Sequence, residues 1–271
     1  MAHRAGGGGI HVLTVLDVTA ARAIEPRRAQ IWALCVGCGL ALAAVAGPAD
    51  ALADRLFTAH MIQHEILIAV AAPLIASGRP LLALVRAVPA ARRAVAALGR
   101  WPFGGAAVRV CRRPSLACLL HGAAIWLWHV PPLFDAALAH PAIHVVQHAS
   151  FLGTGVFFWS AVLHPRRSRD LGRSIVYLFI TAVHTAVLGA LLVVAQSPWY
   201  AGYALGGYAF GLTPLQDQQL AGLVMWVPAG GLYLVAALHT TRRWLDAARS
   251  SVGRSERRRA AARAPAGAMP R

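Results

Sequence analysis

Apolar residues along this chain gather into six long stretches, at about 30–47, 60–78, 115–130, 142–163, 174–195 and 219–239, separated by short polar or arginine-rich connections. A helix needs about 20 such residues to cross the roughly 30 Å hydrocarbon core of a bilayer. The pattern therefore predicts an all-α fold, a polytopic transmembrane helical bundle of about six spans. The third stretch is short, so its ends are expected to reach into the interface. Trp126, Trp128, Trp199 and Trp244 fall near stretch ends, where aromatic belts form.

Charge then gives the bundle a direction. Arginines fill the segment before the first stretch and the second and fourth connections, and they return after the sixth stretch. The third connection (131–141) and the fifth (196–218) have none, and the first has only Arg55, opposed by Asp50 and Asp54. By the positive-inside rule both termini are expected in the cytoplasm. The expected organisation is a cytoplasmic amino-terminal segment over 1–28, the bundle over 29–243, and a basic cytoplasmic tail over 244–271 without fixed structure.

Composition agrees. Hydrophobic residues make up 58% of the 271 positions and charged residues 13%, where a soluble domain carries about a quarter charged residues. The net charge of +16 does not point to nucleic acid, because the arginines lie between apolar stretches rather than on one face of a domain. The lipid bilayer is the expected partner of such a chain. Cys35, Cys38, Cys111 and Cys118 do not form a secreted disulfide framework, and packing is the expected role of Cys35 and Cys38. No cleavable signal is evident. No nucleophile–base arrangement or phosphate-binding loop is present, so an enzyme is not expected.

The candidate chemistry lies in the histidines. Six of the 12, His60, His64, His129, His140, His144 and His148, fall at the expected outer ends of spans two, three and four. Two spans open on His-x-x-Gln-His: His60-Met61-Ile62-Gln63-His64 and His144-Val145-Val146-Gln147-His148. Histidines four apart project from one helix face, so the two pairs with His129 could supply three to five imidazoles to one pocket. Imidazole suits copper, zinc, iron and nickel, and copper(II) binds tightest among the divalent ions. Gln63 and Gln147 could orient the rings through their second nitrogens. Glu65, Asp217 and Met225 are auxiliary candidates. Interhelical hydrogen bonding alone would also account for paired histidines. Two other readings stay open: a haem held by His64 and His148, and a transporter with His121, His184 and Glu65 along an ion path and spans interrupted at Pro73 and Pro228.

At these residues the sequence resembles a known family. The first histidine motif is followed by Ala72-Pro73-Leu74 and Gly78-Arg79-Pro80. Pro132-Leu133-Phe134-Asp135-Ala136-Ala137-Leu138 precedes the second motif, which continues into Ala149-Ser150-Phe151. Leu212-Thr213-Pro214-Leu215, Asp217-Gln218-Gln219 and Met225-Trp226-Val227-Pro228 follow. Together they resemble the membrane-embedded CtaG family of cytochrome c oxidase assembly factors, from about Arg27 to Arg243. The resemblance implies a multi-pass protein of the bacterial plasma membrane that assists maturation of a haem–copper terminal oxidase by handling copper. Its implied partners are haem–copper oxidase subunits and, as copper donors, soluble copper chaperones. Copper is the implied cofactor ahead of haem or zinc. Two features depart from the family pattern: the Gly-rich amino-terminal segment, and Glu65 where an apolar residue is expected.

Overall fold

The computed structural model describes residues 28–80, 84–85, 88–100, 113–165 and 168–263. The expected amino-terminal segment, apart from Arg28, and Cys111 lie outside them. Among the described residues the longer helices are α1 Arg28–Ala44, α2 Pro48–Ala53, α3 Phe57–Ser77, α4 Pro89–Arg100, α5 Pro114–Trp128, α6 Pro131–Ala139, α7 Pro141–Leu163, α8 Ser168–Val194 and α9 Pro214–Arg263, with short 3-10 turns at Ala201–Tyr203 and Gly206–Phe210. No strand occurs among the described residues. Six of these helices begin on proline, whose fixed φ suits the first helical turn and whose missing N–H would be unpaired there anyway.

Four helices (α3, α7, α8 and α9) are long and apolar enough to cross a membrane. The pair α5 and α6, bent by 75°, makes a fifth if counted as one span. α1 is apolar but, at 17 residues, is shorter than those four long helices. Length and composition thus give four to five spans, with α1 as the sixth apolar helix. The third span differs most from expectation. Residues 131–139 are not a plain connection but a helix, because Pro131 and Pro132 end α5 and start α6 at a new angle.

α3 lies at the centre. Its apolar window is 61% buried, against 28–33% for the other three long helices, and it packs against α1, α7 and α9. Its middle, Ile66–Ala71, is a π turn. Pro73 explains the distortion. A π turn pairs each N–H with the carbonyl five residues back, but Pro73 has no N–H to offer Ile68. Trp159 of α7 takes that carbonyl instead, its Nε1 donating to Ile68 O at 2.9 Å. A backbone acceptor in lipid would otherwise stay unpaired.

α8 and α9 form the closest helix pair. At their crossing a Cβ on Gly222 would fall 2.6 Å from the Gly189 carbonyl oxygen, and one on Gly189 would fall 2.7 Å from that of Gly222. Only glycine permits this approach. The expectation of an unstructured tail is corrected: α9 continues without a break to Arg263. Ala and Arg are strong helix formers, and a helix extending from an existing one has no nucleation cost.

Candidate metal centre

The two His-x-x-Gln-His motifs meet where α3 packs against α7. Ring centroids are 4.3 Å apart for His60 and His64, and 4.2 Å for His144 and His148. Across the helices His60 lies 5.2 Å from His144 and 5.8 Å from His148, and His64 lies 5.1 Å from His148. His60, His144 and His148 each present one ring nitrogen such that the three lie within 4.8 Å of one another. His129, at the end of α5, has its ring 6.1 Å from His64. His60, His64 and His129 are buried, His148 is 9% exposed and His144 is half-buried. His140 is exposed at the start of α7 and takes no part.

Two of these rings are held in a defined tautomer. His129 Nδ1 is 2.7 Å from the Ile125 carbonyl, which can only accept, so Nδ1 carries the proton and Nε2 keeps its lone pair. Tyr203 Oη lies 2.7 Å from the Ala53 carbonyl and 2.8 Å from His60 Nδ1. Its single proton goes to the carbonyl, so Tyr203 accepts from His60 Nδ1–H, and His60 Nε2 keeps a lone pair. Burial, with Asp54 and Asp217 nearby, raises the Tyr203 phenol above its ordinary pKa and keeps it protonated. His60 Nε2, His129 Nε2, His144 Nε2, His148 Nε2 and both nitrogens of His64 are buried without a hydrogen-bond partner among the described residues. Aromatic rings wall the group: Phe134 packs on His60, His64 and His129, and Phe151 packs on His64.

The loop after α8 covers this end. Tyr200 Oη donates to the His129 carbonyl at 3.0 Å, and Trp199 N–H donates to Gln218 Oε1 at 2.6 Å. α6 completes the cover, with Phe134 fully buried between Phe57 and Tyr200.

The auxiliary candidates differ in their surroundings. Gln63 donates to the Ala44 carbonyl at 2.7 Å and to Asp50 at 2.9 Å, tying α3 to the α1–α2 corner. Gln147 is buried without a partner among the described residues. Glu65 stands where the π turn begins, with its Oε2 buried and without a hydrogen-bond partner among the described residues. Met225 packs with Phe57, Met61 and Leu192. Asp217 caps α3 from another helix. It accepts from Phe57 N–H at 2.8 Å, Thr58 N–H at 2.9 Å and the Thr58 hydroxyl at 2.6 Å, while Leu56 at the cap position makes no side-chain bond.

Sequence reasoning missed Tyr203 and Tyr200. A tyrosine in a loop carries no signal that its hydroxyl reaches residues 143 and 71 positions away.

The profile of the family described as cytochrome c oxidase caa3 assembly factor matches residues 11–247. The chain belongs to that family. No curated protein and no solved structure gives a significant match. The protein is thus a helical membrane protein of a family of cytochrome c oxidase assembly factors, and membership implies oxidase subunits as its partners.

Proposed function

We propose that this assembly factor binds copper between its two His-x-x-Gln-His motifs, at the outer face of a bacterial plasma membrane, and assists its insertion into a haem–copper oxidase. One observation carries the reading: His60, His144 and His148, brought from two helices, present ring nitrogens within 4.8 Å of one another. Neutral imidazoles are good copper donors, and Tyr203 already turns His60 so that a lone pair is available. The half-buried His144 gives the set an exchangeable side, which delivery requires. The alternation of arginine-rich connections supports six spans, with α1 as the first and both termini cytoplasmic. A bare ion fits this spacing better than haem, since a macrocycle would have to enter between rings that already pack together. Copper loaded onto the shared imidazoles leaves as cargo, with soluble chaperones as its source.

The deciding experiment is copper analysis of the purified full-length protein beside two double variants, His60→Ala/His64→Ala and His144→Ala/His148→Ala. Either variant is expected to lose the copper shared between the two motifs, since neither helix supplies all three of its imidazoles alone. A wild-type protein that takes up no copper overturns the proposal.

A further inference from the structure

We propose that the pocket holds two copper positions, an outer one at His60, His144 and His148 and an inner one at His64 and His129. The proposal rests on the copper reading above and deepens it.

Five imidazoles converge, yet they do not form one coordination sphere. Only His60, His144 and His148 bring one nitrogen each within 4.8 Å of the others; His64 and His129 fall outside that group. His64 is 1% exposed, with both ring nitrogens buried and unpartnered among the described residues. His129 is 4% exposed, and its Nδ1 proton is committed to Ile125, which leaves the Nε2 lone pair inside the pocket. Buried polar nitrogens normally have partners, so such a pair calls for one. The two rings are 6.1 Å apart. Imidazoles meeting at one ion from opposite sides, with nitrogen–metal bonds of about 2.0 Å, place their ring centroids about 6 Å apart.

A two-imidazole site among Phe134 and Phe151 suits a soft monovalent ion. It supplies few donors in an apolar shell, conditions that copper(I) accepts and that strongly hydrated divalent ions do not. The half-buried His144 makes the outer triad the port. His148 ends the triad and stands 5.1 Å from His64, next to the inner position. Occupying both positions gives each of the five histidines a partner for one ring nitrogen.

The test is anaerobic titration of the detergent-purified full-length protein with copper(I), in competition with a chromophoric chelator. The wild type is expected to bind two equivalents, and His64→Leu/His129→Leu one. His64→Leu alone, the milder change, should also drop to one. A single equivalent on the wild type overturns the inner position and leaves the copper reading intact; no binding overturns both. Two equivalents retained by the folded His64→Leu variant also overturn the assignment. If the double variant does not fold, wild-type stoichiometry and the single variant still decide.

Discussion

Tyr203 accepts the Nδ1 proton of His60 across 2.8 Å, and it can do so only because its own proton is given to the Ala53 carbonyl. The loop tyrosine thereby fixes which nitrogen of a helix histidine faces the pocket. Groups that orient a ligand in this way are typically worth 10–100-fold in metal affinity. Tyr203→Phe is therefore expected to weaken copper binding by about 10–100-fold. It should also cost about 1–3 kcal/mol of stability, because the Ala53 carbonyl loses its donor. Competition titration and thermal unfolding in detergent read the two effects separately. Unchanged affinity in the folded variant would show that the tautomer is set by something else.

Asp217 should behave as a structural group. Asp217→Ala leaves two buried N–H groups at the start of α3 without an acceptor, a loss of about 1–3 kcal/mol per group. The thermal midpoint should fall clearly, while the folded fraction keeps the wild-type copper stoichiometry. Loss of one equivalent with little change in midpoint would instead make Asp217 a ligand.

Two glycines of α9 should respond oppositely. A methyl at Gly222 meets the Gly189 carbonyl at 2.6 Å, whereas one at Gly230 meets nothing within 4 Å. Overpacking of this kind costs about 1–3 kcal/mol, so Gly222→Ala should lower the unfolding midpoint. Gly230→Ala should leave it unchanged or raise it, since alanine is the better helix former. Equal effects would mean that the α8–α9 crossing is looser than its geometry.

Reporter fusions test the orientation. A fusion after Arg249 should report cytoplasm and one in the 200–210 loop should report the outer side. The opposite pattern would put the histidines on the cytoplasmic face and remove the case for delivery from outside.

Much of this was legible in the sequence because it is periodic. The spacing of His60 to His64 and of His144 to His148 fixes a face of a helix whatever surrounds it, and a long apolar run marks a helix able to cross a bilayer. Other features depend on distant partners. Gln63 sits beside two histidines in sequence, yet bonds Ala44 and Asp50. Asp217 looked like a site residue, yet its partners, Phe57 and Thr58, are about 160 positions away. The α5–α6 elbow was hidden because hydropathy does not register a change of direction, although Pro131-Pro132 marked it. The tail was misjudged on composition, which describes the segment but not the helix already running into it.

The π turn over Ile66–Ala71 sets the angular phase of α3. It carries one residue more than the α-helical path would, and each α-helical residue advances the side chains by about 100°. The half bearing His60 and His64 is thus turned by about that angle relative to the half that packs on α1. Substitutions along α3 other than at Pro73 leave this phase as it is, but the loss of a single residue there would change it. Both histidines would then swing away from α7 while every residue of the motif was still present. The aim of the pocket is encoded in chain length as much as in residue identity.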